Sequence, residues 1–492
     1  MATQTNDPPC VTEGMPVRDE EAVRPEKAFE EENLDEDLEF GYDEQRKIIH
    51  RIDRRLIGVL GFLHMVSLMD RGNIGAAAIA GMKQGLDLVG FRYSIIALCF
   101  FPTYIVGQVF GSILIRKLGP VGFLSGTTFL MGIVMMCGGF VKKWSEMVAI
   151  RAIIGAFEAG FFPGCVYLIS TWYSRYDMQK RYAVFYLLGC VASAFVGILS
   201  YGIMQMNGLA GIDGWRWIFI IEGLITCSLG ILGAFMLIDF PDRMKVSRRH
   251  FLSDSEYDFI LRRISRDRGD TELDEFHWKK YFSAALDVKP WAFGLIFFCT
   301  TTVAYAISYF MPIILNEEMG FSIGASLCLY APPYAASAIV TYGTAWFADK
   351  YRLRGPVLIF NALLCLIGLP LMAFTENTGS RLFGVFLTTI GPVANVPAAM
   401  AYQANNIRGQ WKRALCTAVF VGFGGTGGMA GSLVFRSQDA PSYHPGIIAC
   451  MACSGLLILT VLLLSLHFKR CNRNVDQGLL VLEGLPGFKY TY

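Results

Sequence analysis

The sequence predicts an all-α integral membrane protein with twelve transmembrane helices in two six-helix halves. Hydrophobic residues make up 53% of its 492 positions and charged residues only 17%, whereas soluble domains carry about 25% charged residues. Apolar runs of roughly 20 residues, enough to cross about 30 Å of hydrocarbon, recur along the chain. No soluble domain of comparable size fits between these runs.

The predicted spans are numbered one to twelve in chain order and fall into two sets. The first set covers 56–77, 93–115, 121–141, 146–173, 182–206 and 215–238. The second set covers 290–314, 323–348, 356–375, 380–402, 413–435 and 445–468. The two predicted domains are therefore 46–238 and 290–468.

Three polar segments flank the predicted halves. Residues 1–45 contain an acidic block with few apolar side chains, which predicts a disordered cytoplasmic tail. In the linker 239–289, Ser253 and Glu256 have the spacing of a capping box, so an amphipathic surface helix is expected to begin there. Residues 469–492 are expected to form a second cytoplasmic tail.

Basic residues are concentrated on one predicted side of the membrane, which identifies that side as cytoplasmic. They lie before span one, in the linker, and after spans two, four, eight and ten: Arg46, Lys47, Arg51, Arg54, Arg55, Arg116, Lys117, Arg175, Lys180, Arg181, Arg243, Lys245, Arg248, Arg249, Arg262, Arg263, Arg266, Arg268, Lys350, Arg352, Arg354, Arg408, Lys412 and Arg413. The loop after span seven instead carries Glu317 and Glu318. Both termini and the linker are therefore expected in the cytoplasm.

The two halves have the pattern of an internal repeat. Arg116 and Lys350 occupy equivalent basic turns and are 350 − 116 = 234 positions apart. Spans one and seven begin 290 − 56 = 234 positions apart. Equal offsets predict two halves of the same topology, related by an axis along the membrane normal, with a substrate site near the midplane and alternating access by rocking.

Asp70 and Arg71 lie in an apolar stretch of span one. Asp70 is about 21 Å from the start of the span at 1.5 Å per residue. One interpretation ends the span at Met69 and places the pair at the membrane surface. The apolar, small-residue continuation favours the other, a carboxylate that can take a proton beside a guanidinium that can hold an anion.

Arg151 and Glu158 form a second charged pair, in span four. They are seven residues apart and therefore lie on one helix face, with Glu158 about 18 Å from the outer end. A structural pair between helices is one interpretation. The other makes Glu158 a proton-coupling carboxylate, with Arg151 binding an anion or adjusting the protonation of Glu158.

The second half has no comparable charges within its spans. It offers Tyr305 and Tyr309 in span seven and Asn395 in span ten, whose polar and aromatic groups suit the uncharged part of a ligand. For each residue taken alone, helix packing is the favoured interpretation. In the first half, Glu222 is expected to have a structural role, either paired with Arg216 or capping a neighbouring helix.

Four stretches carry a family resemblance: MDRGNIGAAAIAGM, RAIIGAFEAGFFPGCVYLISTWYSR, GWRWIFIIEGL and GQWKRA. On these stretches the chain resembles the major facilitator superfamily over about 50–470, and within it the anion:cation symporters of the fungal allantoate-permease branch. Related members carry organic carboxylates such as allantoate, nicotinate and pantothenate. The resemblance implies the major facilitator fold and a small anionic substrate.

The resemblance also implies roles for individual residues. Asp70 and Glu158 match the protonatable pair, Arg71 the arginine that holds the substrate carboxylate, and Arg151 the one that organises the two acids. Tyr104 matches a tyrosine that lines the site from span two. One departure is that Ile115 stands where the family's loop motif usually has an aspartate.

The expected function is proton-coupled import of a small organic carboxylate at the plasma membrane by a chain acting as a monomer. The alternative is an antiporter that exports an anionic secondary metabolite, although span five lacks the glycine-proline motif of such antiporters. No nucleophile, base and orienting group occur together, so the chain is not expected to be an enzyme. No cofactor, metal or nucleic-acid partner is predicted.

Overall fold

The computed structural model describes residues 40–173, 175–241, 251–268, 286–407, 410–439, 443–480, 482 and 488–492. Within these ranges the chain is built from helices joined by short turns, and no strand occurs in them. Most of the predicted acidic tail and much of the linker lie outside the described residues. The predicted disorder of that tail therefore stays a prediction.

The helices of the first half occupy the positions of spans one to six. They are α1 (Tyr42–Ala77), α2 (Arg92–Leu98), α3 (Phe100–Leu118), α4 (Pro120–Gly138), α5 (Trp144–Glu158), α6 (Phe161–Trp172), α7 (Arg175–Met204) and α8 (Gly214–Met236). A π-helical turn, Ala78–Met82, extends α1.

The second half repeats the pattern after a linker helix, α9 (Asp254–Arg268). Its helices are α10 (Val288–Ile313), α11 (Ile323–Cys328), α12 (Ala331–Tyr351), α13 (Gly355–Phe374), α14 (Thr378–Asn406), α15 (Gln410–Val434) and α16 (His444–Asp476). The twelve-span, all-helical arrangement confirms the predicted fold class. The last helix continues to Asp476, past the predicted end of span twelve.

Three of the predicted spans are divided into shorter helices near a proline. Span two breaks at Cys99, between α2 and α3, and span four breaks after Glu158, between α5 and α6. Span eight breaks between α11 and α12, just before Pro332 and Pro333. Pro102 and Pro163 each follow a break by a few residues, and neither can donate the main-chain hydrogen bond that a continuous helix needs. The break in span four leaves Glu158 as the last residue of α5, at a bend in the membrane.

Ten helical segments among the described residues are long and apolar enough to cross a membrane. The helices α1 and α3 are not among them, although they stand where spans one and two were predicted. Polar groups explain this, because α1 contains Asp70, Arg71 and Asn73 and α3 ends in Arg116 and Lys117. The first span is thus less apolar because it carries buried charges.

The predicted capping box is confirmed at the start of the linker helix α9. The main-chain nitrogen of Ser253 donates to the Glu256 carboxylate at 2.8 Å, and the main-chain nitrogen of Glu256 donates to the Ser253 hydroxyl at 3.3 Å. Such reciprocal bonds satisfy two helix-start donors. Arg51 of α1 pairs with Glu256 at 3.1 Å and holds the linker helix near the first half.

Candidate functional site

The four membrane charges form two ion pairs that cross between α1 and α5. Asp70 pairs with Arg151 at 3.0 Å, and both side chains are 0% exposed. Arg71 pairs with Glu158. Asp70 and Arg71, which are adjacent on α1, therefore each pair with a residue of opposite charge on α5. None of the four charges is left unpaired in the apolar interior, where an isolated ion is costly.

The Arg71–Glu158 pair is the more accessible of the two. The Arg71 side chain is 12% exposed and Glu158 is 2% exposed. Ser67, one helical turn before Arg71, also donates its hydroxyl to Glu158. A small pocket borders Ser67 and Glu158 and is otherwise lined by apolar side chains and two threonines of α4. The Arg71–Glu158 pair is therefore the one with partial access to solvent, whereas Asp70–Arg151 is fully enclosed.

Three aromatic rings surround the Arg71 guanidinium. The rings of Phe100, Tyr104 and Tyr305 have their centroids 5.5, 5.6 and 5.6 Å from its central carbon. Phe100 also lies 5.3 Å from the guanidinium carbon of Arg151 and so separates the two arginines. Aromatic faces stabilise a cation without neutralising it. The cluster therefore holds a positive charge that can still attract an anion.

Arg71 also joins the two halves of the molecule. Its Nη1 donates to the hydroxyl of Tyr305 on α10 at 2.5 Å. Tyr305 stacks on Tyr309, with 5.9 Å between ring centroids. The structure thus brings five of the predicted site residues, Arg71, Tyr104, Glu158, Tyr305 and Tyr309, into one cluster, with the Asp70–Arg151 pair beside it.

The halves approach each other closely along α1 and α10. A side chain at Gly75 would lie 2.7 Å from the main-chain oxygen of Tyr309, so only glycine permits this approach. The same oxygen accepts a 2.9 Å hydrogen bond from the hydroxyl of Tyr93 on α2. The Tyr309 oxygen is therefore contacted by the main chain of α1 at Gly75 and by the side chain of Tyr93, and both contacts join the two halves.

A polar contact also joins the two halves just beyond the ends of α1 and α10. Lys83 pairs with Glu317, which also accepts a 3.1 Å hydrogen bond from the hydroxyl of Tyr443. Burial raises the pKa of Tyr443, and the neighbouring Glu317 carboxylate raises it further, so the phenol stays a donor at neutral pH. The neighbouring residue Glu318 pairs with Arg381 at 2.5 Å.

Asn395 lies apart from the cluster. It is 2% exposed and its amide donates to the main-chain oxygen of Leu358 on α13 at 3.3 Å. No hydrogen bond among the described residues joins it to Arg71 or to the aromatic rings. Its observed contact is one of helix packing between α13 and α14, which is the alternative that the sequence left open.

Glu222 has a different partner from the one expected. The amide of Asn73 donates to its carboxylate at 2.6 Å, and the hydroxyl of Ser200 donates at 3.4 Å. Arg216 instead pairs with Asp213 and donates to the main-chain oxygens of Gly139 and Val141, at the end of α4. Arg216 therefore provides the helix cap, and Glu222 joins α1, α7 and α8.

Several buried polar atoms of the cluster have no hydrogen-bond partner among the described residues. They are Oδ1 of Asp70, Nε of Arg71, Nε and Nη2 of Arg151, Oε2 of Glu158 and the hydroxyl of Tyr309. Buried polar groups usually find partners. Donors and acceptors with spare capacity around one centre are what a site needs to accept a carboxylate and a proton.

Two residues of the cluster were not identified from the sequence. Ser67 precedes Arg71 by four positions and Phe100 precedes Tyr104 by four, so each shares a helix face with a residue that was identified. That spacing was a usable signal. Phe100 also needs Gly155, where a side chain would lie 2.2 Å from the main-chain oxygen of Phe100.

Comparison with known proteins agrees with this architecture. The family model described as Major Facilitator Superfamily matches residues 60–432. The high-affinity nicotinic acid transporter of Saccharomyces cerevisiae is 26% identical over 462 residues, which cover 91% of this chain and 85% of the relative. The major facilitator-type transporter hxnP of Emericella nidulans is 30% identical over 450 residues, 89% of each chain.

A solved structure shares the fold. The crystal structure of a bacterial homologue of the human lysosomal transporter Spinster, inward-facing and occupied, superposes with a TM-score of 0.63 at 13% identity. The match covers 84% of this chain and 97% of the bacterial one. The relatives are transporters and not enzymes, which agrees with the absence of an enzymatic motif noted in the sequence. The chain therefore belongs to the Major Facilitator Superfamily and is a multi-pass membrane protein of that transporter family.

Proposed function

We propose that this protein imports a small organic carboxylate together with a proton, by alternating access around the Arg71 cluster. The observation that carries the proposal is the position of Arg71. One side of its guanidinium holds the Glu158 carboxylate and another contacts Tyr305 of the second half. An arginine that already binds one carboxylate can exchange it for the carboxylate of a substrate.

Protonation of Glu158 provides the exchange. A neutral Glu158 no longer pairs with Arg71, and the guanidinium then presents its bidentate donors to the incoming anion. Deprotonation returns Glu158 to Arg71 and displaces the substrate. The proton and the anion thus occupy the site together and leave it together, which is the condition for symport.

Co-transport also decides how the membrane potential acts. A monovalent anion that enters alone moves one charge against an inside-negative potential, which costs about 2.3 kcal/mol per 100 mV. One proton that enters with it cancels this cost. A second proton would make the potential favourable, and Asp70 is the second acid in the proposal, held by Arg151 beside the cluster.

The aromatic residues of the site face the uncharged part of the substrate in this proposal. Tyr104, Tyr305 and Tyr309 supply flat rings beside the guanidinium, a surface that suits a planar or ring-shaped acid. Arg151 stays with Asp70 and organises the acids. Asn395, which packs against α13, contributes only if the second half rearranges during the cycle. Nicotinate is the first acid to test, because the yeast relative carries that name.

The orientation in the proposal rests on charge. Basic residues in the part of α1 that precedes span one, in the linker and at the end of α12 place both termini and the linker in the cytoplasm in this proposal, by the positive-inside rule. In that orientation the Lys83–Glu317 contact closes the outer side. A plasma-membrane location and function as a monomer complete the proposal.

Uptake of labelled acids by cells or proteoliposomes tests the proposal. The panel contains nicotinate, allantoate and pantothenate, each measured at several outside pH values with Arg71→Ala as the blank. We expect one acid to enter faster at acidic outside pH and to accumulate against its gradient. The matched control is Glu222→Gln, which removes a buried carboxylate that does not contact Arg71.

The direction of flux separates import from the alternative of metabolite export. A symporter takes up acid when the outside is acidic, whereas an antiporter loads its substrate in the opposite direction under the same gradient. Equal accumulation by wild type and Glu158→Gln would show that Glu158 does not couple the proton.

A further inference from the structure

Residues 488–492 lie against the ends of three second-half helices, on the membrane side where α10 begins. Tyr490 is the centre of this contact and is only 5% exposed. Its ring stacks on Phe468 of α16, with 4.5 Å between centroids, and belongs to the same apolar core as Leu482 and Tyr402. A segment held this firmly is part of the folded second half.

Two asparagines on different helices form hydrogen bonds with the main chain of this segment. The Asn472 amide of α16 donates to the Tyr490 oxygen and accepts from the Tyr490 nitrogen, both at 2.8 Å. The Asn406 amide of α14 donates to the Thr491 oxygen at 3.0 Å and accepts from its nitrogen at 2.8 Å. In an extended chain, successive residues direct their main-chain groups to opposite sides, so the two asparagines hold the segment between them.

Lys289 contacts both the hydroxyl and the ring of Tyr490. Nζ of Lys289, on α10, donates to the Tyr490 hydroxyl at 2.5 Å and lies 4.6 Å from the ring centroid. Asp287 keeps Lys289 in place at 3.3 Å and pairs with Lys412 at 2.8 Å. Burial works to raise the pKa of Asp287, but the bonds from Lys412 and Lys289 outweigh it and leave that pKa below its usual value. The carboxylate is therefore charged at neutral pH.

These contacts have the form of peptide recognition. Main-chain hydrogen bonds give affinity, and a pocket for one side chain gives specificity. We propose that Asn406, Asn472, Lys289 and Phe468 form a binding site for an extended peptide with a tyrosine at its centre. Residues 488–492 occupy this site in cis, and their docking ties the ends of α10, α14 and α16 together.

The site depends on these contacts and not on the identity of the transported substrate. We expect a tethered and a free occupant to compete for it. A segment on a short tether acts at an effective concentration of about a millimolar. A free peptide at micromolar concentration therefore cannot displace it from the full chain, but can fill the site when the segment is removed.

The first test measures binding of a fluorescein-labelled peptide of sequence FKYTY by anisotropy. We expect saturable binding to a variant that stops after residue 487, and binding at least tenfold weaker to the full chain and to the shortened chain with Asn472→Ala. A peptide with alanine in the place of Tyr490 is the control and should not bind. Absence of saturable binding to the shortened chain, or equal binding to both chains, would overturn the proposal.

The second test uses full-length chains, so that it does not depend on the folding of a shortened one. Trypsin cuts after Lys489, next to the hydrogen-bonded main chain of Tyr490. The extent of this cleavage is measured by intact mass. Asn472→Ala and Tyr490→Ala should each speed this cut at least tenfold. Asp476→Asn removes only the exposed 2.7 Å pair with Lys489 and should change it less than twofold. Cutting at the wild-type rate in both alanine variants would show that the segment is not held by these contacts.

Discussion

Arg71 and Tyr305, which contact each other at 2.5 Å, occupy equivalent positions in the two halves. They are 234 residues apart, which is the offset that relates the repeats. Lys83 and Glu317 have the same separation and also form a pair. Equivalent residues can meet only next to the axis that relates the halves, so α1 and α10 run along that axis and the Arg71 cluster lies on it.

The hydrogen bond from Arg71 to Tyr305 predicts the effect of Tyr305→Phe. A hydrogen bond to a charged group contributes about 1.5–3 kcal/mol, so its loss leaves Arg71 poorly oriented for an anion. We expect the half-saturation concentration for uptake to rise about tenfold or more, by the same principle, with little change in the maximal rate. Tyr402→Phe removes another buried tyrosine hydroxyl of the second half and should leave both parameters within about twofold.

The close approach at Gly75 predicts that alanine there stops the cycle. A methyl group would lie 2.7 Å from the Tyr309 oxygen and would hold the halves apart at this level. We expect uptake by Gly75→Ala to fall at least about tenfold. Gly58→Ala, on the same helix with no atom within 4 Å of the added carbon, is the control and should transport normally. A normal rate in Gly75→Ala would mean that the halves do not close here.

The fully buried Asp70–Arg151 pair predicts that removal of one of its charges strongly destabilises the protein. Asp70→Asn leaves the Arg151 charge buried without its ion-pair partner, which costs about 3–5 kcal/mol. The melting temperature of the purified protein should therefore fall sharply. Asp70→Asn combined with Arg151→Gln should recover most of the loss, because no unpaired charge is left. If the double variant is as unstable as the single one, the pair does more than neutralise charge.

The Lys83–Glu317 contact predicts a charge-reversal pattern. Lys83→Glu and Glu317→Lys each replace attraction by repulsion between the halves. The pair is partly exposed, and such pairs contribute at most about 1 kcal/mol. We expect amide hydrogen exchange in 78–85 and 314–321 to become several-fold faster in each single variant and to return toward wild type in the double reversal. Independent effects of the two changes would contradict a direct pair.

The sequence was sufficient for the fold because apolar runs and basic turns are properties of the chain alone. It placed the twelve spans and the 234-residue repeat, and it marked Asp70, Arg71, Arg151 and Glu158 as unusual charges. It did not show that spans two, four and eight are each broken near a proline. Proline is common in membrane helices, and only packing determines whether a helix bends or breaks there.

The pairing of the charges could not be read from the sequence. Residues seven apart on α5 suggested that Arg151 and Glu158 act on each other, but the rotation of α1 against α5 pairs each with a residue of α1 instead. Asn395 is a residue for which the sequence suggested a ligand contact and the structure shows a packing contact. Its polarity suggested a ligand, but its observed hydrogen bond is to Leu358, because a buried amide is equally useful for helix packing.

The central claim is that Arg71 exchanges the Glu158 carboxylate for that of a substrate when Glu158 takes a proton. Calorimetry of substrate binding to the purified protein, in buffers of different ionisation enthalpy, measures the protons taken up with each anion. The ligand is nicotinate, or whichever acid of the panel is transported. The account predicts close to one proton per anion in wild type and none for Glu158→Gln, with binding retained. Binding without proton uptake in wild type, or the same uptake in Glu158→Gln, would contradict it.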